Sequence, residues 1–342
     1  MSKACHFFLL IIVGFLAAFS LTGYMRQYAL KKNIIDNPNE RSSHTMPTPR
    51  GGGVAVVISY LLSLAGLIYL GYLTPSIGII VIVAGFIIAL LGFLDDHGHI
   101  NALVRLAIHF IVAIGVVVAL GGFTEVTIFN GLQLGFVANI IAVLFLVWLL
   151  NLYNFMDGIN GIASIEAITS VLSMALIYWV LNSTLNSQVL GLMAATVFGF
   201  MLWNFPKAKI FMGDACSGFL GLVLGIWALY ALKQDIGFFC AWVICLGVFI
   251  VDATFTLIRR VLNGHKMYDA HRSHAYQYAS RKYQSHTKAT LGVLTINLLW
   301  LLPMAYLAAT KVIVPELVIV IAYFPLIVLA IYFKAGKTEN EQ

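Results

Sequence analysis

From Gly51 to Leu94 the chain carries no Asp, Glu, Lys, Arg or His, and the run ends on two adjacent aspartates, Asp95 and Asp96. Broken only by the turn residues "GYLTPS", it holds two apolar segments of the length a bilayer-spanning helix needs, about 20 residues. Two neighbouring carboxylates repel each other, and near lipid each is costly to desolvate. Composition points the same way: 61% of the 342 residues are hydrophobic and 10% are charged, against about 25% charged in a soluble domain. Mean hydropathy is +0.93.

The hydropathy pattern predicts an all-α polytopic membrane protein of about eleven transmembrane helices. The predicted spans run near 5–25, 52–73, 76–94, 101–121, 132–150, 162–181, 187–204, 217–232, 236–258, 289–309 and 312–333. The chain reads as a single integral membrane domain, 1–342, with a short tail over 334–342. The first span is too long for the apolar core of a signal peptide, about 7–15 residues. With the N-terminus outside and the spans alternating, one side of the membrane receives 17 Lys and Arg and the other 3. The positive-inside rule then places the C-terminus in the cytoplasm and the N-terminus in the periplasm. Cys5, Cys216, Cys240 and Cys245 form no C-x-x-C pair, so neither a disulfide framework nor a zinc site is indicated.

On this topology the polar clusters share the cytoplasmic face. "DNPNERSSHTMPTPRGGG" (36–53) is a turn-rich loop whose Arg41, His44 and Arg50 could meet phosphate, or could simply be a solvated basic loop. Asp95 and Asp96 close a helix, where the dipole disfavours negative charge, so a divalent cation would relieve them. Arg105 and His109 share a helix face; Arg105 suits a phosphate contact or an interfacial anchor. In "NLYNFMDGINGIA" (151–163), Asn151, Asn154 and Asp157 recur every three residues, although Asp157 could equally cap a helix. "WNFPKAKIFMGDACSG" (203–218) sets Asn204, Lys207 and Lys209 before Asp214; a helix starting there would aim free N–H groups at an anion, or Asp214 could simply cap it. In the most basic segment, "RRVLNGHKMYDAHRSHAYQYASRK" (259–282), His271, Arg272 and His274 offer donors to phosphate or sugar. Asp252 lies two turns before Arg259 and is expected to pair with it. Carboxylates, cations and glycine turns on one face describe a metal-assisted phosphate site.

These motifs, in this order, resemble the polyprenyl-phosphate N-acetylhexosamine-1-phosphate transferases, and more closely their O-antigen-initiating branch. The resemblance covers essentially the whole chain. It implies a bacterial inner-membrane enzyme that passes an N-acetylhexosamine 1-phosphate from a UDP-sugar to undecaprenyl phosphate, releasing UMP. It implies Mg²⁺ as cofactor, with Mn²⁺ as the substitute. It also implies catalytic roles for Asp95, Asp96, Asp157 and Asp214, with Asp95 as the base toward the lipid phosphate. Asp214 and Asn154 fall to the metal, and Arg41, His44, Arg105, Asn154, Asn204, Lys207, His271, Arg272 and His274 to substrate. Its departures are Asn160, where many relatives have a second acid, and Cys216, where a glycine is usual; if that position needs φ > 0, cysteine would strain it. "HRSHAYQ" suggests a 6-deoxy-N-acetylhexosamine donor, with UDP-GlcNAc or a muramoyl-pentapeptide donor as the alternatives within the family. A secondary transporter, from a different class, would place its polar residues near the midplane on broken helices. Besides these substrates and membrane lipids, no nucleic-acid partner is implied, and a homodimer is allowed but not specified.

Reporter fusions test the orientation. A fusion after Phe333 is expected to report the cytoplasm and one within 182–187 the periplasm; the reverse would put every motif on the wrong side for a nucleotide-sugar.

Overall fold

The computed structural model describes residues 3–38, 43, 46–98, 100–129, 131–183, 187–265 and 271–337. Its helices are α1 (Lys3–Lys31), α2 (Val54–Tyr69), α3 (Pro75–Gly98), α4 (Ala102–Ala119), α5 (Val137–Met156), α6 (Ile162–Val180) and α7 (Ser187–Asn204). They continue with α8 (Asp214–Leu232), α9 (Ile236–Cys245), α10 (Gly247–Leu262), α11 (Ala275–Lys282), α12 (His286–Ile296), α13 (Leu302–Thr310) and α14 (Pro315–Tyr332). A five-residue π turn, Asn297–Leu301, joins α12 to α13. Among the described residues the only strands are two antiparallel pairs of two residues per strand.

The chain is a multi-pass membrane protein. Among the described residues nine helices are long and apolar enough to cross a bilayer, with α12 to α13 counted as one. A tenth span results if α9 and α10, bent by 70°, are taken together. The 16-residue α2 falls short of the usual span. These segments follow the predicted spans in order, with displaced ends. α3 runs on past Leu94, so Asp95 and Asp96 are helical, and α8 begins at Asp214. Both extensions carry carboxylates whose charge is met by other elements. The 70° break at Leu246 has no counterpart in the hydropathy pattern, because apolar residues continue through it.

Local signals start the helices where the structure has them. Asn101 caps α4 through Leu103 N (2.8 Å), Asp235 caps α9 through Gly237 N (2.7 Å), and Pro75 and Pro315 open α3 and α14. α8 is buried along nearly its whole length, with α3 and α5 packed against it. α1 and α6 pack on α7, and α13 and α14 on α9. Large apolar side chains of α1, α3, α4 and α14 face outward, as lipid-facing surfaces require.

The closest approach between α3 and α8 sits beside the acidic residues. A Cβ on Gly92 would lie 2.5 Å from the backbone carbonyl of Asp214, which cannot move aside as a side chain can. Gly92→Ala is therefore expected to separate the two helix ends, lowering stability by about 1–3 kcal/mol. Thermal unfolding in detergent checks this; an unchanged Tm would mean that the contact is not tight.

Candidate active site

Asp95 and Asp96 are consecutive on a helix, about 100° apart around its axis, so they address different neighbours. Asp96 is buried against the start of α8. It accepts from Asp214 N (3.2 Å) and Ala215 N (3.4 Å), and Arg50 Nη2 lies 2.6 Å from its Oδ1. The free N–H groups expected to hold a bound anion are thus already held by the chain's own carboxylate. The same Arg50 Nη2 donates to Asp214 Oδ1 at 2.6 Å. Asp95 turns toward α4, accepting from Ile100 N (2.6 Å) and from Arg105 Nη1, which also stands 3.7 Å from Asp214 Oδ2. Gly213, at φ +84°, lets this junction close, since a Cβ there would lie 2.7 Å from Asp96 Oδ2 and 3.0 Å from Gly51 Cα.

Facing this junction is the turn between α5 and α6. Asn154 lies in the last helical turn and donates to Ser217 Oγ at 3.3 Å. Asp157 leaves the helix with φ −85° and ψ 50°, so the three-residue spacing does not carry it onto the face of Asn154; it caps the C-terminus of α5 rather than the start of a helix. Between them lies a cavity of about 440 Å³, lined also by Asp36, Ser43, Arg50, Asn160, Ser217, Gln277 and His286. A smaller pocket of about 20 Å³, bounded by Asp95, Arg105, His109 and Asn151, adjoins it, with Asn154 and Asp214 lining both.

The site's electrostatics are uneven. Burial opposes the Arg50 charge, but Asp214 and Asp96 together hold its guanidinium above the ordinary value. The Asp157 carboxylate has no hydrogen-bond or ion-pair partner among the described residues. Burial, then the negative charge of Asp214, pushes its carboxyl well above the usual carboxylate range. An unpaired acid facing a second acid across a cavity suits a cation. No three His, Cys, Asp or Glu side chains converge on one point among the described residues. Mg²⁺ does not require that, since one or two carboxylates with substrate phosphates and water commonly hold it. Asp157, Asp214 and the amide of Asn154 are the groups that fit.

Several expected site residues stand elsewhere. Asn204 lines the cavity but is spent as a fastener: its Oδ1 accepts from Gly161 N (2.7 Å) and its Nδ2 donates to Ile210 O (3.0 Å). Lys207 is exposed and Lys209 lies over the Trp203 ring; neither lines the cavity. His274 is buried beside Asp252 (3.4 Å), capping α11. His271 packs on the His274 ring and accepts from Ser273; burial and the neighbouring His274 hold it neutral, at about 3. Arg272 does not line the cavity either, and its carbonyl accepts from Arg281 (3.0 Å). Arg41 and His44 lie outside the described residues. Asp252 does not pair with Arg259. It accepts from Ala275 N (2.8 Å) and Tyr276 N (3.0 Å), while Arg259 donates to Ala335 O. Cys216 sits in the first turn of α8, fully buried against Gly53, so its position is helical and packed, not a strained turn.

Of the other lining residues, Asp36 and Gln277 stand at the edges of two motifs without marking themselves as site residues, and His286 lies outside every motif. His286 Nε2 meets Ser43 O (2.9 Å), and its Nδ1 accepts from Asn160 N (3.5 Å). It thereby joins the first loop to the α5–α6 turn. The side-chain amide of Asn160, which replaces an acid, donates to Pro206 O (3.1 Å), while its backbone carbonyl accepts from Thr290 Oγ1.

A profile of glycosyl transferase family 4 matches residues 78–232, which carry Asp95, Asp96, Asn154, Asp157 and Asp214. Over 294 residues the chain is 29% identical to the probable undecaprenyl-phosphate N-acetylglucosaminyl 1-phosphate transferase of Bacillus subtilis, covering 84% of this chain and 81% of that one. It is 25% identical to the undecaprenyl-phosphate alpha-N-acetylglucosaminyl 1-phosphate transferase of Thermotoga maritima, over 78% of this chain and 79% of its relative. It is 28% identical to the decaprenyl-phosphate N-acetylglucosaminephosphotransferase of Mycolicibacterium smegmatis, over 89% and 82%. Fold and relatives together make the chain similar to integral membrane sugar-1-phosphate transferases, and these matches support its place in the polyprenyl-phosphate N-acetylhexosamine-1-phosphate transferase family.

The Asp157 charge has a sign that can be measured. An unfolded Asp ionises near ~4, and the folded carboxyl only at a higher pH. Stability is therefore lost as pH rises from the unfolded value, and the loss is complete once the folded value is passed. Asp157→Asn is expected to raise Tm in cation-free detergent at neutral to mildly alkaline pH while lowering turnover. A lower Tm would show the charge to be compensated.

Proposed function

We propose that this enzyme transfers N-acetylglucosamine 1-phosphate from UDP-GlcNAc to undecaprenyl phosphate, releasing UMP, at the cytoplasmic face of a bacterial inner membrane. Its product would prime a cell-envelope glycan. The observation that carries the reading is the cavity in which unpaired Asp157 faces Asp214 and Arg50 at the end of an apolar bundle. The relatives, all named for N-acetylglucosaminyl transfer, support this sugar over a 6-deoxy sugar. The loop that suggested the deoxy sugar supports it less, because it reaches the cavity only through Gln277, while His271, Arg272 and His274 do not line it.

A lipid phosphate oxygen forms a bond to the β-phosphorus of the donor; the bond from that phosphorus to the bridging oxygen breaks, and UMP leaves with the electron pair. The attacking oxygen is already anionic, so positioning and charge stabilisation suffice. Bound Mg²⁺ would supply charge neutralisation to the diphosphate, held by Asp214, Asp157 and Asn154. Arg50 can exchange a carboxylate partner for a phosphate oxygen without leaving the cavity. Arg105, beside both Asp95 and Asp214, suits the lipid phosphate. Asp95 spends its two oxygens on Ile100 N and Arg105, which supports an orienting role over proton abstraction.

The test is UMP release by purified protein with undecaprenyl phosphate and a panel of UDP-GlcNAc, UDP-FucNAc, UDP-QuiNAc and UDP-MurNAc-pentapeptide. Turnover with UDP-GlcNAc is expected to require Mg²⁺ or Mn²⁺ and to stop with EDTA. Asp214→Asn is expected to cost about a hundredfold or more in kcat. No UMP from any donor would overturn the reading, and a higher kcat/KM for a deoxy sugar would overturn the choice of GlcNAc.

A further inference from the structure

α9 and α10 form one apolar stretch bent by 70° at Leu246. A bend within a bilayer frees backbone groups that no water is there to satisfy. In an unbroken helix Phe249 N–H would donate to Cys245 O, four residues back. Here another helix takes the two halves of that bond separately. Phe249 N–H donates to Glu166 Oε1 (3.4 Å), and Cys245 O accepts from Ser170 Oγ (3.0 Å). Glu166 and Ser170 stand four residues apart on α6, and so on one face. The preceding freed carbonyl, Val243 O, accepts from Tyr323 Oη at 2.6 Å.

Glu166 is fully buried, and no part of the proposed chemistry uses it. Its other oxygen accepts from Asn297 Nδ2 (2.7 Å), and the same amide donates to Thr169 Oγ1 (2.7 Å). Asn297 opens the π turn, so one side chain ties α6, the π turn and the bend together. An ionisable residue at such depth is costly and calls for a role.

We infer that Glu166, assisted by Ser170, is a positioning residue that fixes the bend between α9 and α10 and thereby sets the α11 wall of the active-site cavity. The path to the cavity is continuous. Asp252, one turn beyond Phe249 on α10, accepts from Ala275 N and Tyr276 N and so holds the start of α11. α11 then places Gln277 in the cavity lining and the Tyr276 hydroxyl on Phe155 O (3.1 Å). Gly158 admits that tyrosine, since a Cβ there would lie 2.1 Å from its oxygen. α6 itself springs from the same Asp157–Gly161 turn. Glu166 therefore acts on the loop bearing Asp157 from both sides: along α6, and through α10 and α11.

The activity arm of the test rests on the transferase reading; the distance arm does not. Spin labels on non-natural residues at positions 172 and 262, both exposed, measure a distance that reports where α10 lies against α6. Glu166→Leu, which leaves Phe249 N–H and the Asn297 amide without an acceptor, is expected to shift or broaden that distance. It is also expected to raise KM for the sugar nucleotide about tenfold, with a smaller change in kcat. Glu166→Gln keeps one acceptor oxygen for Phe249 N–H, and the Asn297 amide can turn its unpartnered Oδ1 to the new Nε2, so this variant is expected to restore both, with Ser170→Ala intermediate. A folded Glu166→Leu with wild-type distance and KM overturns the inference, as does Glu166→Gln as damaging as Glu166→Leu. If Glu166→Leu does not fold, the Ser170→Ala distance decides: a shift supports the inference and no shift overturns it. If the wild type turns over no sugar nucleotide, the transferase reading fails while the label distances still decide this one.

Discussion

Arg50 bonds Asp96 and Asp214 with one nitrogen, and the arrangement of the active end depends on that bridge. It joins the first loop to the C-terminal end of α3 and the N-terminal end of α8, three segments far apart in sequence. Without it two carboxylates would face each other at the edge of lipid, offset only by the Asp214 and Ala215 N–H groups and by the more distant Arg105. With it the pair is neutralised but not saturated, because the guanidinium can pass from a carboxylate to a phosphate. Arg105 does the same for Asp95 on the other side of Asp214. The acidic pair is thus split between two cations, with Asp214 as the group both can reach.

Asp157 is the exception that gives the cavity its chemistry. Every other acid of the junction has a cationic or N–H partner, whereas Asp157 has none among the described residues. Its geometry is held by groups already engaged within the chain. The Asn204 amide fastens the turn to the 205–211 segment, and Thr290 and His286 hold Asn160. Amide and hydroxyl groups carry this load without adding charge, which keeps the Asp157 environment acidic.

The membrane imposes a second economy of polar groups. Broken helices survive in a bilayer only where other side chains take over the freed N–H and C=O groups. Glu166, Ser170 and Tyr323 do so at the bend of α9 and α10, and Asp252 caps α11 in the same manner farther along. These buried polar contacts link the membrane interior to the cavity wall, so specificity for a geometry, and not stability alone, is their natural function.

The apolar run from Gly51 to Leu94 already determined a helical membrane protein, because only helices satisfy the backbone within lipid at that segment length. Motif order was legible as well, since carboxylates and glycines stand out against an uncharged background. Asp95, Asp96, Asn154, Asp157 and Asp214 could be named from it, and the structure gathers them at one end of the bundle. Partnership was not legible. Arg50 on two acids, Asp252 on α11 rather than on Arg259, and Cys216 packed against Gly53 all join residues remote in sequence. Nor did the basic loop reveal that His274 and His271 face inward while Gln277 and His286 reach the cavity. Periodicity and charge fix which residues are polar and at which end of a span they sit. Which polar group satisfies which is decided only when the helices pack, because close approaches such as Gly92 on Asp214 set the distances on which every hydrogen bond depends.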